Sequence, residues 1–409
     1  MPDSIMSQNS YEEFRYFYTD YEKKERLYLQ KIDKWEKPLK PFSSDDIVVS
    51  QDFNTYYYSY NKVDYSKGIK VKTISRAKNI TDIEINKMSS FNEVENYLVF
   101  GTKKAAQLSK KTSAFSYLSD KYDFTKIIGD SSYEYRTGVE FTPQELYMLI
   151  AKGASDIQKN YKFTNKKFSR SKYIVEDTPI NGWDLPTKYI YPIITGPRIE
   201  AFKANISNEF CIIPYEETDT SKPVDIETMI TKNYSLFEYL LNHQDLINRQ
   251  SEKSKQMRRG NEFYALSKIG PYTFAKYLVA ARDNTKFRAS VIKYADTPWG
   301  EKKQCICVKH TIIISRTISG RFISKDEAYY ISGILNSDII IEYIQNTFKS
   351  NGYSLKKAHF YLPEFDKNNK LHKEISKLAK KASLSSNKCE IENIQIKLSE
   401  LYLKMCEFK

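Results

Sequence analysis

Apolar and polar positions follow different rhythms in different parts of the chain. Residues 10–36 are rich in Tyr, Glu, Lys and Leu and hold no Gly or Pro, which predicts a helix ending before Pro38. Between residues 37 and 85, short stretches such as Ile47-Val48-Val49, Tyr56-Tyr57-Tyr58 and Ile69-Lys70-Val71 alternate with polar turns, as strands or extended segments do. Helical spacing returns over residues 91–118, with a basic cluster at Lys103, Lys104, Lys110 and Lys111, and a boundary is expected near residue 120.

The segment from 120 to 235 reads as β-rich. Val139-Glu140-Phe141, the run from Tyr189 through Ile194 and the run from Phe210 to Tyr215 are short and apolar, and Gly138, Gly182 and Gly196 punctuate them. Ser235 is placed to cap a helix reaching about Met257, with Phe237, Leu240, Leu241, Leu246 and Ile247 as its apolar positions. Residues 311–316 predict a strand. Residues 326–348 predict a helix capped by Ser324.

The tail has its own pattern. Leu371, Ile375 and Leu378 recur at helical spacing, and a polar break follows at 383–388. Then Ile391, Ile394, Leu398, Leu401 and Met405 step by three and four, an a/d seam of about two heptads. Such a short seam docks either on its own chain or on a partner subunit, and it is the candidate partner interface. The expected fold is α+β: a mixed, β-rich domain over 121–365, flanked by an N-terminal helical or mixed segment over 1–120 and C-terminal helices over 366–409. No repeat of solenoid length is visible.

Composition narrows the function classes. The 409 residues carry a formal charge of +13, which favours a polyanionic partner through counterion release. The 33 tyrosines could stack on bases, although a biased genome composition is the better explanation of them. No apolar run approaches the roughly 20 residues of a membrane span, and residues 1–10 lack the apolar stretch of a leader, so a cytoplasmic protein without membrane contact is expected. Cys305 and Cys307 alternate within an apolar run, but paired C-x-x-C spacing for zinc is missing, and the five cysteines read as reduced thiols.

Several chemistries have no foothold in the sequence. It contains no G-x-G turn, no Walker loop, no H-x-x-x-H pair and no G-x-S-x-G elbow. It also lacks Asn or Asp followed by Pro-Pro and an aromatic, the tetrapeptide that holds a flipped base in amino-methyltransferases; no two prolines are adjacent. A nuclease site is harder to exclude, because Asp177 or Asp184 with Lys188 matches the loose spacing of metal-binding carboxylates.

Four ordered segments resemble the C-terminal specificity region of adenine-specific DNA methyltransferases, especially single-chain type IIG restriction–modification enzymes. The first is Tyr135-Arg136-Thr137-Gly138-Val139 with Phe141. The second runs from Tyr191 through Gly196, Pro197, Arg198 and Ile199 to Phe202, then from Phe210 to Tyr215; Phe202 stands where the family usually has Trp. The third is Leu236-Phe237-Glu238-Tyr239-Leu240 with His243, Leu246 and Arg249, followed by Arg258-Arg259 and Phe263-Tyr264-Ala265-Leu266. The fourth and most specific is Tyr329-Tyr330-Ile331-Ser332-Gly333-Ile334-Leu335-Asn336-Ser337, then Gly352-Tyr353-Ser354-Leu355-Lys356-Lys357 and Tyr361-Leu362-Pro363. Together they cover roughly residues 130 to 380.

The resemblance implies a target-recognition domain that binds double-stranded DNA. The family's catalytic domain precedes this region, and residues 1–120 are too few for it. A separate methyltransferase subunit would then supply S-adenosylmethionine binding and chemistry, with no cofactor and no catalytic residue in this chain. The candidate DNA-binding residues are Arg136, Arg198, Arg258, Arg259, Arg282, Arg288, Tyr353, Lys356 and Lys357. Arginine is the geometric favourite for guanine and Asn or Gln for adenine, whereas phosphate contacts position the protein without specifying sequence. Arg136 and Arg198 beside turn glycines suit salt bridges equally well; Arg258 and Arg259 suit a solvated helix end, and Arg282, Arg288 and Lys293 an exposed strand face. Phe202, Tyr329 and Leu335 are expected in the core, with Asn336 as a structural hydrogen-bonding residue. Two other readings compete: a type II restriction endonuclease with a metal site in residues 1–130, and an interaction protein of a phage-defence complex.

Overall fold

The computed structural model describes residues 17–20, 22–36, 53–77, 80, 84, 87–111, 114–168, 175, 179–282, 286–347, 355 and 358–409. The fold is α+β and divides into two compact units. The first takes residues from 1–130, 339–361 and 406–409; the second spans 131–338 and 362–405.

The first unit is built on one sheet. Its strands are β1 (Phe17–Asp20), β2 (Glu25–Glu36), β3 (Phe53–Ser59), β4 (Ile69–Arg76), β5 (Leu98–Ala106) and β6 (Ser116–Tyr117), in the order β1-β2-β4-β5-β6 with β3 also on β2. The helix expected over 10–36 is thus replaced by strands wherever the chain is described. A composition without Gly or Pro does not separate helix from strand, and long-range pairing decides between them. The β2–β3 register shifts between Leu29 and Lys31, which puts Leu29 and Ile32 on one face although they are three apart. Both are fully buried with Ile69, Val71 and Ala105.

The helical expectation for 91–118 is also corrected. Only α1 (Phe91–Glu95) is helical, and β5 then pairs with β4 from Ile69↔Ala105 to Arg76↔Leu98. A full-length ladder outweighs local propensity.

The second unit has a six-stranded sheet in the order β10-β9-β8-β12-β11-β17 and a four-stranded sheet in the order β14-β13-β18-β7. The strands are β7 (Arg136–Thr137), β8 (Met148–Ala154), β9 (Asn160–Asn165), β10 (Trp183–Pro186), β11 (Ile190–Ile194), β12 (Glu209–Ile212), β13 (Leu278–Arg282), β14 (Arg288–Ile292), β15 (Tyr294–Asp296), β16 (Lys302–Gln304), β17 (Ile306–Cys307) and β18 (Thr311–Ile314). Short helix α2 (Gln144–Tyr147) leads into β8.

The helix expected from Ser235 to Met257 is broken into α4 (Tyr234–Asn242), α5 (Gln244–Asn248) and α6 (Glu252–Gln256), preceded by α3 (Ile226–Lys232). Asn233, not Ser235, stands at the cap position of α4. His243 ends α4, its imidazole Nδ1 2.6 Å from the Tyr239 carbonyl oxygen. Ser324 caps α7 (Lys325–Leu335) as expected, in a capping box with Glu327. That helix ends at Asn336, and α8 (Asp338–Asn346) begins after the break, so 326–348 is two helices rather than one. The tail forms α9 (Lys370–Leu384) and α10 (Lys388–Cys406), the helical pair the spacing predicts. Phe202, Tyr329 and Leu335 are buried. Among the described residues no helix is long and apolar enough to cross a membrane.

Candidate nucleic-acid interface

The second unit gathers cationic side chains at one end of its four-stranded sheet. Arg282 closes β13 and Arg288 opens β14, and the two are direct cross-strand partners. Opposed residues in an antiparallel pair point to the same face, and like charges there repel. Burial, then the charge of Arg282, pushes the Arg288 guanidinium down, while Asp338 pulls it back up. Arg288 Nη1 donates to the Phe287 carbonyl (2.7 Å), and among the described residues no carboxylate lies within ion-pair distance of it. Two opposed guanidiniums form a site that an anion stabilises.

The edge strand carrying Arg288 is held firmly. Asn336 Oδ1 accepts the Ala289 N–H (3.0 Å) and its Nδ2 donates to the Ala289 carbonyl (2.6 Å) and to Ser332 O (2.9 Å). The Phe202 N–H donates to the same Ala289 carbonyl at 2.9 Å. Asn336 is fully buried. Its amide closes an open sheet edge and fixes the residue beside Arg288, the hydrogen-bonding role the sequence suggests for it.

Two turns complete the cluster. The Gly196–Arg198 turn packs against β13, and a Cβ on Gly196 would stand 3.8 Å from both Arg282 Cγ and the His310 carbonyl. Arg198 pairs with Glu209 at 3.2 Å, a carboxylate already bound to Lys166 at 2.9 Å. The second turn, 308–311, carries Lys309 and His310 and joins β18, whose Thr311 is the cross-strand partner of Arg282. Lys309 pairs with Glu140, which Lys268 also meets at 2.7 Å. Burial opposes ionisation of Glu140, yet the two lysines hold it below the usual carboxylate range. Burial, then Lys309 and Lys268, pushes His310 down. Lys268 (φ 57°) and His310 (φ 74°) both have left-handed backbone, a strain that tends to concentrate at functional sites. Lys166 and Arg198 thus share Glu209, and Lys268 and Lys309 share Glu140, while Arg282 and Arg288 oppose one another on the sheet.

Arg136 lies on β7 opposite Ile313, on the same sheet face as Arg282 and Arg288 by register. Gly138 allows this approach, because a Cβ there would collide with the carbonyls of Cys307 and Val308. Arg136 pairs with Glu134 and lies 5.6 Å from the Tyr272 ring centre. Arg259 is exposed, its Nε donating to Thr220 O at 2.8 Å; its charge and that of Arg136 both reach the Tyr272 hydroxyl. Arg258 turns inward: Nη2 donates to Ile247 O (3.2 Å) near the end of α5, and Nε reaches Gln250 Oε1 at 3.4 Å. Both contacts tie its guanidinium to the end of α5 and the segment after it.

Tyr353, Lys356 and Lys357 lie outside the described residues. Of the candidate partner seam, Ile394, Leu398, Leu401 and Met405 are buried by the chain itself and Ile391 is half-buried. Met405 Sδ lies 3.5 Å from the Tyr330 hydroxyl, and Gln395 donates to the Asn336 carbonyl at 2.8 Å. Those four seam residues are therefore buried within the chain rather than a free face for a partner. For the nuclease reading, Asp177 lies outside the described residues, Asp184 accepts from the Ser155 hydroxyl at 2.7 Å, and Lys188 pairs with Glu216 at 2.7 Å. Among the described residues no group of three or more His, Cys, Asp and Glu side chains is arranged to hold a metal.

Lys268, Lys309 and His310 were not legible as site residues. They come from turns far apart in sequence, joined by the Glu140↔Ser267 and Val139↔Val308 bridges. No protein-family model and no curated protein matches the chain.

Proposed function

We propose that this chain is the DNA-recognition subunit of a restriction–modification or phage-defence methyltransferase, acting in the cytoplasm. It binds duplex DNA and presents the target base to a separate catalytic subunit that holds S-adenosylmethionine. The observation that carries the reading is the opposed Arg282–Arg288 pair, set among Arg198, Lys268 and Lys309 on a braced sheet end. Paired guanidiniums reach phosphates or the O6 and N7 of guanine, and the flanking ammoniums neutralise the adjoining backbone. The ordered sequence phrases supply the methyltransferase context.

The test is a methyl-transfer assay with tritiated S-adenosylmethionine and unmethylated DNA. The chain alone should transfer nothing, and a methyltransferase encoded beside it should become site-specific on its addition. Methyl transfer by the chain alone, or a partner whose specificity ignores it, would refute the proposal.

A further inference from the structure

The sheet of the first unit carries a second, chemically different surface. Register places Tyr57 beside Lys31, Lys31 beside Lys70 and Lys70 beside Lys104 across β3, β2, β4 and β5. Two residues along, Asp33, Lys72 and Thr102 form the next row, and Ile74 pairs with Phe100 beyond it. All point to one face. At one end this face is closed by Trp35, Ile74, Val94 and Leu98, which pack together. The rest is open: Tyr57 is 42% exposed and Phe100 47% exposed, and Lys70 and Lys104 are exposed.

The open half has a definite chemistry. Lys31 Nζ lies 4.3 Å from the Tyr57 ring centre and Lys72 Nζ 4.4 Å from that of Phe100. Asp33 is the one acid in these rows, and it is engaged by Lys31 at 3.1 Å and by the Tyr57 hydroxyl at 2.8 Å. Among the described residues, Lys70, Lys72 and Lys104 have no carboxylate at ion-pair distance. A hollow of about 390 Å³ lies between Lys31, Lys70, Lys72 and Phe100, within the roughly 300–1,000 Å³ usual for ligand sites.

We propose that this open half-face binds single-stranded nucleic acid, with bases stacked on Tyr57 and Phe100 and phosphates on Lys31, Lys70, Lys72 and Lys104. Exposed rings interleaved with ammoniums on one sheet face are complementary to a strand whose bases are unpaired. A duplex hides its base faces and would leave the rings idle. In the free chain the ammoniums rest over the rings; an arriving base displaces them toward the adjoining phosphates. The inference concerns a different surface from the duplex site and stands without it.

The test uses the full chain and a fluorescein-labelled oligothymidylate, followed by anisotropy across a salt series. Phe100→Ala should weaken binding roughly tenfold, as loss of one stacked base does. The triple change Lys70→Gln, Lys72→Gln and Lys104→Gln should lower the salt slope by about 2, at about 0.7 per phosphate on a single strand. Arg282→Ala with Arg288→Ala should leave oligothymidylate binding unchanged. Melting curves confirm that the exposed-face variants stay folded. Failure of the wild-type chain to bind oligothymidylate overturns the proposal. So does binding that needs the lysines but ignores Phe100→Ala, which would mark a general polyanion surface.

Discussion

Glu327 offers a sharp test of how the second unit is held together. It is 1% exposed at the start of α7. Its Oε1 accepts from the Tyr133 hydroxyl (2.9 Å) and Arg321 Nη2 (2.8 Å), and Oε2 from the Ser324 N–H (3.0 Å) and Arg321 Nη1 (2.9 Å). One carboxylate thus ties the helix cap to the segment at Tyr133 and to Arg321, which also holds Glu364 at 2.7 Å. Glu327→Gln keeps the shape and one cap bond but removes the charge. Arg321 retains Glu364, so the full penalty of an orphaned buried charge does not apply, and a loss of about 1.5–3 kcal/mol follows from weakened charge-assisted bonds. Glu327→Ala also leaves the Ser324 N–H and the Tyr133 hydroxyl proton without an acceptor, though that hydroxyl keeps the Phe365 N–H, and should cost about 1–3 kcal/mol more than Gln. For a unit of this size the Gln variant should melt roughly 3–10 °C lower.

The pH dependence has a definite direction. Burial alone would raise the Glu327 pKa, but Arg321, the Ser324 N–H and Tyr133 outweigh it and hold the carboxyl below its ordinary value. Its contribution is complete above the unfolded pKa of about 4.3 and is lost as pH falls through the lower folded value. Melting by circular dichroism should therefore show the full Gln deficit at neutral pH and a shrinking one below about pH 4. An equal deficit at both ends, or equal effects of Gln and Ala, would refute the assigned network.

Other expectations follow from single contacts. Asn336→Ala should lower stability by about 1–3 kcal/mol in urea unfolding by leaving the Ala289 N–H unpaired while its carbonyl keeps the Phe202 N–H, and should weaken duplex binding through Arg288; unchanged stability would contradict the bracing role. Leu398→Ala should cost about 2–5 kcal/mol without altering gel-filtration elution; a stable variant that fails only to bind a partner would return the seam to an interface. Arg258→Ala should lose about 1 kcal/mol of stability while leaving the salt slope of duplex binding intact; a flatter slope would place Arg258 on the DNA.

What the sequence disclosed depended on how local the signal was. The Ser324 cap, the tail helices and the apolar strands β11 and β12 are written in neighbouring residues. The bulge after Leu29 and the β4–β5 ladder are not, because long-range pairing decides both. At the site, Arg282 and Arg288 were visible as a basic stretch, but their direct opposition required the hairpin register. Lys268 and Lys309, far apart in sequence, meet through a shared carboxylate, Glu140. Arg258 and Arg259 are indistinguishable in sequence, and only the structure shows that one guanidinium donates to Ile247 O and the other to Thr220 O.

The most direct measurement is the affinity of the full chain for duplex DNA across a salt series, beside the Arg282→Ala, Arg288→Ala double variant. Loss of two phosphate contacts should flatten the log–log slope by about 2, at about 0.9 per contact, with the melting temperature preserved. An identical slope for both proteins, or a wild-type chain that does not bind a duplex at low salt, would contradict the account.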